Sequence, residues 1–196
     1  MNASSNDRRY EAPNPALARL QQIDWHRWSI ILLKPDCLQR GLVEPVLARC
    51  AEHVQIIAQE TVVVTQAQIF AHYDDLLRAP ERLAPIDVPA DLRRCYVGKH
   101  VVIALGHGPL ARPGEPDTPA RLRALLGHYD PARARPTSIR GHFGIDNLAK
   151  ARSEGRLIDN VIHTSDDAAA ACRDFLIWFG IDRTDLLIAP RNGVCP

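Results

Sequence analysis

Little in this chain of 196 residues points to metal, membrane or disulfide chemistry. Its five cysteines, Cys37, Cys50, Cys95, Cys172 and Cys195, are scattered, odd in number and never in C-x-x-C spacing. Neither a zinc knuckle nor a disulfide framework is favoured, and reduced thiols are expected. There is no HExxH and no Cys/His ligand spacing, so no protein-held metal is expected. No apolar run approaches the roughly 18 residues of a membrane span, and the polar N-terminus has no apolar export core. A cytoplasmic protein without a membrane partner is the expectation. Phosphate loops are missing too. Gly98-Lys99 is followed by His100, not by Ser or Thr, and the GHG at Gly106–Gly108 is too short for GxGxxG. If phosphate is bound, side chains must hold it. Lys and Arg number 24 against 23 Asp and Glu, a net charge of +1, and aromatics are few. That balance speaks against a nucleic-acid partner.

What is present is one domain's worth of core, with 46% hydrophobic residues. Residues 1–24 read as an arm and 25–196 as the folded domain. Trp28–Leu33 is a short apolar run that predicts a buried strand, ended by Lys34-Pro35. After Gly41, the spacing of Leu42, Val46, Leu47, Cys50 and Val54 predicts a helix with Pro45 in its first turn. Ile56–Thr65 and Val101–Leu105 predict strands, Gln66–Leu77 and Arg121–Leu126 helices, and Ile139–Ile145 the last strand. Arg78–Arg94, with Pro80, Pro85 and Pro89, reads as a loop with at most short helices. Gly106–Pro119 reads as an exposed connection and Asp130–Pro136 as a loop. Asp166–Phe179 predicts an amphipathic helix capped by Ser165, burying Ala168, Cys172, Phe175, Leu176 and Phe179. The order is that of an α/β sandwich around one small sheet.

Several polar residues stand beside these core segments. Lys34 ends the first strand, Arg140 opens the expected last one, and Arg123 lies on the short helix between them. Tyr73 and Asn160 complete a set able to hold an anion. His163, in "NVIHTSD", reads by itself as a structural histidine more readily than as chemistry.

Four stretches change that reading. "KPDCLQRGLV" (Lys34–Val43), "HYDDL" (His72–Leu76), "SIRGHFG" (Ser138–Gly144) and "NVIHTSD" (Asn160–Asp166) stand in the order seen in nucleoside diphosphate kinases. The resemblance runs from about Trp28 to Phe179. It implies a ferredoxin-like α/β sandwich with a small antiparallel sheet covered by helices. It implies transfer of the γ-phosphate of ATP to nucleoside diphosphates through a phosphohistidine on His163. By the same resemblance Lys34, Tyr73, Arg123 and Arg140 hold phosphates, Lys34 and Asn160 reach the sugar, and Mg²⁺ arrives with the nucleotide. Asp174 matches the carboxylate that orients the nucleophile, Ser165 its hydroxyl neighbour, and the assembly is a homo-oligomer, hexamer or tetramer.

The departures are specific. Cys37 stands where the family has Gly, Asp174 where it usually has Glu, and Tyr129 where a phosphate-binding Thr is usual. The segment after Tyr73 has no aromatic to stack on a base, and the connections 78–94, 106–119 and 146–159 are long. Two accounts follow: an active kinase with weak, unselective base binding, or a relative that kept the pocket for binding or regulation. A non-enzymatic interaction module is the third.

Overall fold

The computed structural model describes residues 15–188. Cys195 and the expected arm's first 14 residues lie outside that range.

Four strands form one sheet: β1 (Trp28–Leu33), β2 (Gln55–Val63), β3 (His100–His107) and β4 (Ile162–Thr164). Their spatial order is β2-β3-β1-β4, and every pairing is antiparallel. β1 has neighbours on both sides and helices on both faces, so all six of its residues are buried. That is why it reads as a continuous apolar run and not as an alternation. Its side chains still alternate between two cores. Ile30 and Leu32 join Ile103 and Leu105 on one face, and Ile31 and Leu33 join Val102 and Ala104 on the other.

The first face is covered by α1 (Pro15–Gln21), α4 (Gln66–His72), α6 (Val88–Tyr96) and α10 (Ala168–Trp178). The second lies under α2 (Pro35–Gln39), α3 (Val43–Ala51), α7 (Thr118–Leu126) and α8 (Ile139–Phe143). Two short helices, α5 (Asp74–Arg78) and α9 (Leu148–Ser153), lie in long connections. The result is the expected ferredoxin-like α/β sandwich with helices over the sheet. In α1, Leu20 is buried in the first core, and Trp25 donates its indole N–H to the Leu20 carbonyl.

Several expectations are corrected. Ile139–Phe143 is a helix and not the last strand, because Ser138 caps it by accepting from the Gly141 N–H. The fourth strand is the three-residue β4, inside "NVIHTSD". Pro35 does more than end β1; it opens α2 at a first-turn position where no N–H is needed. The helix expected over Gln66–Leu77 breaks at Tyr73, which leaves the helical region at φ −104° and ψ 32°. Pro89 does not break its segment: it lies in the first turn of α6, where Asp87 accepts from the Ala90 N–H. Gly106 and His107, expected in an exposed connection, are buried and end β3. Finally, Asp167 caps α10 in place of Ser165, and its buried face is Ala170, Ala171, Asp174, Phe175 and Trp178, with Leu176 exposed.

Candidate active site

The site grows from the junction between β1 and β4. Val161 is forced to φ 72°, a left-handed conformation that a β-branched residue avoids at a cost of about 1–3 kcal/mol. Three bonds hold it there. Its N–H donates to Asp36 Oδ2 at 2.9 Å, its carbonyl accepts from the Lys34 N–H at 2.9 Å, and Ile162 N–H donates to the Asn160 carbonyl at 2.8 Å. This tight turn sends Ile162 into the second core and brings His163 opposite Leu32, on the first face.

Lys34 is buried and donates from Nζ to the Ile158 carbonyl and to Asn160 Oδ1, each at 3.0 Å. Burial pushes its ammonium pKa down, opposed by Asp36 and Asp159. Asn160 in turn donates to the Tyr129 carbonyl at 2.8 Å. Arg140 donates to the Gly127 and Ile162 carbonyls at 3.2 and 2.9 Å, and burial lowers its pKa to about 10, which leaves it charged at neutral pH. Gly127 must be glycine there: its φ is 78°, and a Cβ would strike Ser138. Arg123 forms an ion pair with Asp166, both half exposed. Such a surface pair contributes about 0–1 kcal/mol, so an incoming anion can displace it.

The His163 ring packs edge-on against His72, with centroids 4.7 Å apart and planes at 83°, and against Tyr73 at 5.6 Å and 65°. Burial first, then the charges of His72, Arg140, Lys34 and Arg123, hold its pKa well below the ordinary histidine value. The ring is therefore neutral near pH 7, with a lone pair to offer. Tyr73 hydrogen-bonds through its hydroxyl to that of Tyr96 at 3.1 Å, and burial pushes it up to about 12, so it stays a neutral phenol.

Lys34, Tyr73, Arg123, Tyr129, Arg140, Asn160 and His163 all line one cavity of about 760 Å³. Ser165 and Asp174 sit behind it. The expected contact from Asp174 to His163 is absent among the described residues. The Asp174 carboxylate is fully buried, accepts from Ser165 Oγ at 2.8 Å and from Arg173 Nη2 at 3.0 Å, and lies 3.3 Å from His72 Nδ1. Burial would raise its pKa, but the His72, Ser165 and Arg173 interactions outweigh this and lower it. Ser165 faces that carboxylate and accepts from the Ile30 N–H. An aspartate is one methylene shorter than the glutamate the resemblance would supply, and here it reaches His72 instead of His163.

Sequence reasoning left out many residues of the cavity wall, Asp36, His72, Tyr96 and Arg173 among them. His72 and Asp36 carried a signal, since they lie in "HYDDL" and "KPDCLQRGLV"; Tyr96 and Arg173 lie outside the quoted stretches. Cys37, in the place of a family glycine, lies in α2 with no left-handed backbone, its buried thiol pushed up to about 12.

The wall also carries aliphatic side chains, Leu76, Leu83, Ile86, Leu148 and Leu157, interspersed with Asp75, Arg94, Lys99, Arg156 and Asp159. The long connection bearing Leu148 and Leu157 is tied by Arg156, which donates to both oxygens of Asp146 at 2.6 and 3.0 Å. Leu157 N–H also donates to Asp91 Oδ2 of α6 at 2.6 Å. Among the described residues no helix is long and apolar enough to cross a membrane, and no group of three or more His, Cys, Asp or Glu side chains could hold a metal ion.

A family model for nucleoside diphosphate kinase matches residues 28–184. Nucleoside diphosphate kinase from Desulfitobacterium hafniense is 31% identical over 156 residues, covering 77% of this chain and 86% of the relative. The enzyme from Pyrobaculum aerophilum is 28% identical over 179 residues, covering 77% and 93%. Among solved structures, an NDP kinase from Pyrobaculum aerophilum superposes with a TM-score of 0.62 at 26% identity, over 78% of this chain and 95% of the other. A transition-state mimic of the Borrelia burgdorferi enzyme, with bound vanadate and ADP, reaches a TM-score of 0.71 at 24% identity, covering 85% and 93%. With a match over most of its length and the fold to go with it, the chain belongs to the nucleoside diphosphate kinase family and is an enzyme of that class.

Proposed function

We propose that the chain moves the γ-phosphate of ATP to other nucleoside diphosphates in two half-reactions through a phosphohistidine on His163. In the first, a neutral ring nitrogen forms a bond to the γ-phosphorus while the bond to the β–γ bridging oxygen breaks, and the diphosphate leaves with that electron pair. In the second, a terminal oxygen of another diphosphate attacks, the N–P bond breaks, and the lone pair returns to His163. Phosphoryl transfer of this kind asks the protein mainly for positioning and charge neutralisation. Lys34, Arg123 and Arg140 supply the charge, Tyr73 a neutral donor, and Asn160 with Lys34 the sugar contacts. Tyr129 takes the position of the phosphate-binding threonine.

The observation that carries this reading is the His163 ring on the wall of a cavity also lined by Lys34, Arg123 and Arg140. Mg²⁺ fits as a passenger of the nucleotide: the cavity offers separate carboxylates, Asp36, Asp75 and Asp166, to a hydrated ion and no ready-made cage. When bound, it neutralises phosphate charge. The test is incubation with γ-labelled ATP alone. Acid-labile, base-stable phosphate should accumulate on the protein and be lost in His163→Ala. Normal labelling of that variant would place the nucleophile elsewhere.

Self-association, as hexamer or tetramer, belongs to the same proposal. Its support is β2, an outer strand paired along one edge only. A monomer by light scattering at micromolar concentration would contradict it.

A further inference from the structure

His72 is a buried group for which the two half-reactions have no use. It closes α4, is 3% exposed, and touches three rings: His163, Tyr73 at 4.8 Å and Trp178 at 5.5 Å. One edge of its ring is pinned. Nδ1 lies 3.2 Å from Trp178 Nε1 and 3.3 Å from Asp174 Oδ1: unprotonated it accepts from the indole N–H, protonated it donates to the carboxylate, and in either state one neighbour holds it. Asp174 cannot shift, because Ser165 and Arg173 hold its two oxygens. Nε2, on the other side of the ring, is buried without a hydrogen-bond partner.

His163 has the opposite problem. It stands on a three-residue outer strand, and among the described residues no hydrogen bond fixes its imidazole. Among the described residues the rings that pack edge-on beside it are His72 and Tyr73, which limit rotation about its last side-chain bond. An attacking nitrogen displaced by about 1 Å loses on the order of 10²-fold in rate.

We infer that His72 is a positioning residue for His163, its ring acting as the wall that sets the plane of the nucleophile. Asp174 then acts on His163 at one remove, by fixing His72 and Ser165. The inference rests on the phosphohistidine reading. It departs from that reading's expectation of direct orientation by a carboxylate.

The test compares His72→Ala with His72→Phe, which restores a ring wall without nitrogens. Rapid-quench measurement of phosphoenzyme formation from ATP should show a loss of about 10- to 100-fold in the alanine variant, with nucleotide KM within about twofold. Phenylalanine should recover most of that rate. If the alanine variant does not fold by circular dichroism, His72→Gln replaces it, keeping volume but no ring, with the same expected loss. A wild-type rate in the ringless variant, a loss shared equally by rate and KM, or a phenylalanine variant as slow as alanine would each overturn the inference. Failure of the phosphohistidine reading is separately visible: wild-type protein would take no label from ATP, and the inference would fall with it.

Discussion

The two ends of the cavity are built differently. At the His163 end nearly every polar side chain is tied to a backbone group: Lys34 to Ile158, Arg140 to Gly127 and Ile162, Asn160 to Tyr129, Asp36 to Val161. Elsewhere in the lining, Leu76, Leu83, Ile86, Leu148 and Leu157 come from three separate segments and add aliphatic surface between the charged Arg94, Lys99 and Arg156. Fixed donors recognise a shape and a charge, whereas aliphatic walls recognise only bulk. Our reading is that the molecule specifies the phosphates closely and the base loosely.

The largest effect should come from breaking the ordered end. Lys34→Ala removes a buried cation and leaves Asn160 Oδ1 without its donor, so kcat should fall by about 10²- to 10³-fold. The matching change at the aliphatic end, Leu83→Ala, should raise nucleotide KM a few-fold and leave kcat alone. Equal effects on kcat would erase the distinction between the ends.

Asp174→Asn should come next. It loosens the Ser165 and His72 contacts without touching bound phosphates, so steady-state kinetics should show turnover falling by about tenfold or more, with affinity kept. Parallel loss in a nucleotide titration would make the residue a pocket or folding element instead.

A smaller effect concerns the tie that holds the loose end. The Arg156 hydrogen bonds overcome the effect of burial and lower Asp146 to about 2. A carboxylate depressed on folding stabilises the native state above its unfolded pKa, near pH 4, and that contribution disappears as pH falls through about 2. Allowing for solvent screening, Asp146→Asn should cost about 1 kcal/mol at neutral pH and almost nothing at pH of about 2, read by urea unfolding. An equal loss at both pH values would mean that the pair's charge is irrelevant.

Much of this layout was legible in the sequence, for physical reasons. β1 and β3 are buried on both faces and announce themselves as apolar runs; α7 and α10 carry clear periodicity. Ile139–Phe143 was misread because its β-branched and aromatic residues suggest a strand, while Ser138 capping and the loop around Gly127 decide for helix. β4 was invisible because three residues have no period. The seven cavity residues came from the resemblance, since nothing local distinguishes Arg123 or Arg140 from solvated arginines. For Asp174 the expected contact with His163 is replaced by one with His72. Which ring a shortened carboxylate reaches depends on where α4 packs against α10, and no spacing along the chain records that.

The smallest effect is also the most telling about the loose end. Among the described residues the rings that line the cavity are His72, Tyr73, Tyr96, Tyr129 and His163, and the connection 78–94 contributes none on which a base could stack. Base–aromatic stacking contributes roughly 1–3 kcal/mol, so nucleotides should bind weakly and with little preference. Transfer efficiencies to the common nucleoside diphosphates should agree within about tenfold, which is 1.4 kcal/mol. A sharp preference for one base would show that the aliphatic wall is a dedicated pocket.

The most direct test of the whole account isolates the phosphoenzyme made from labelled ATP alone, then chases it with each nucleoside diphosphate in turn. The account predicts one stable, base-resistant label on His163 that every diphosphate removes at similar rates. A protein that retains no label, or whose label only one diphosphate can discharge, would contradict it.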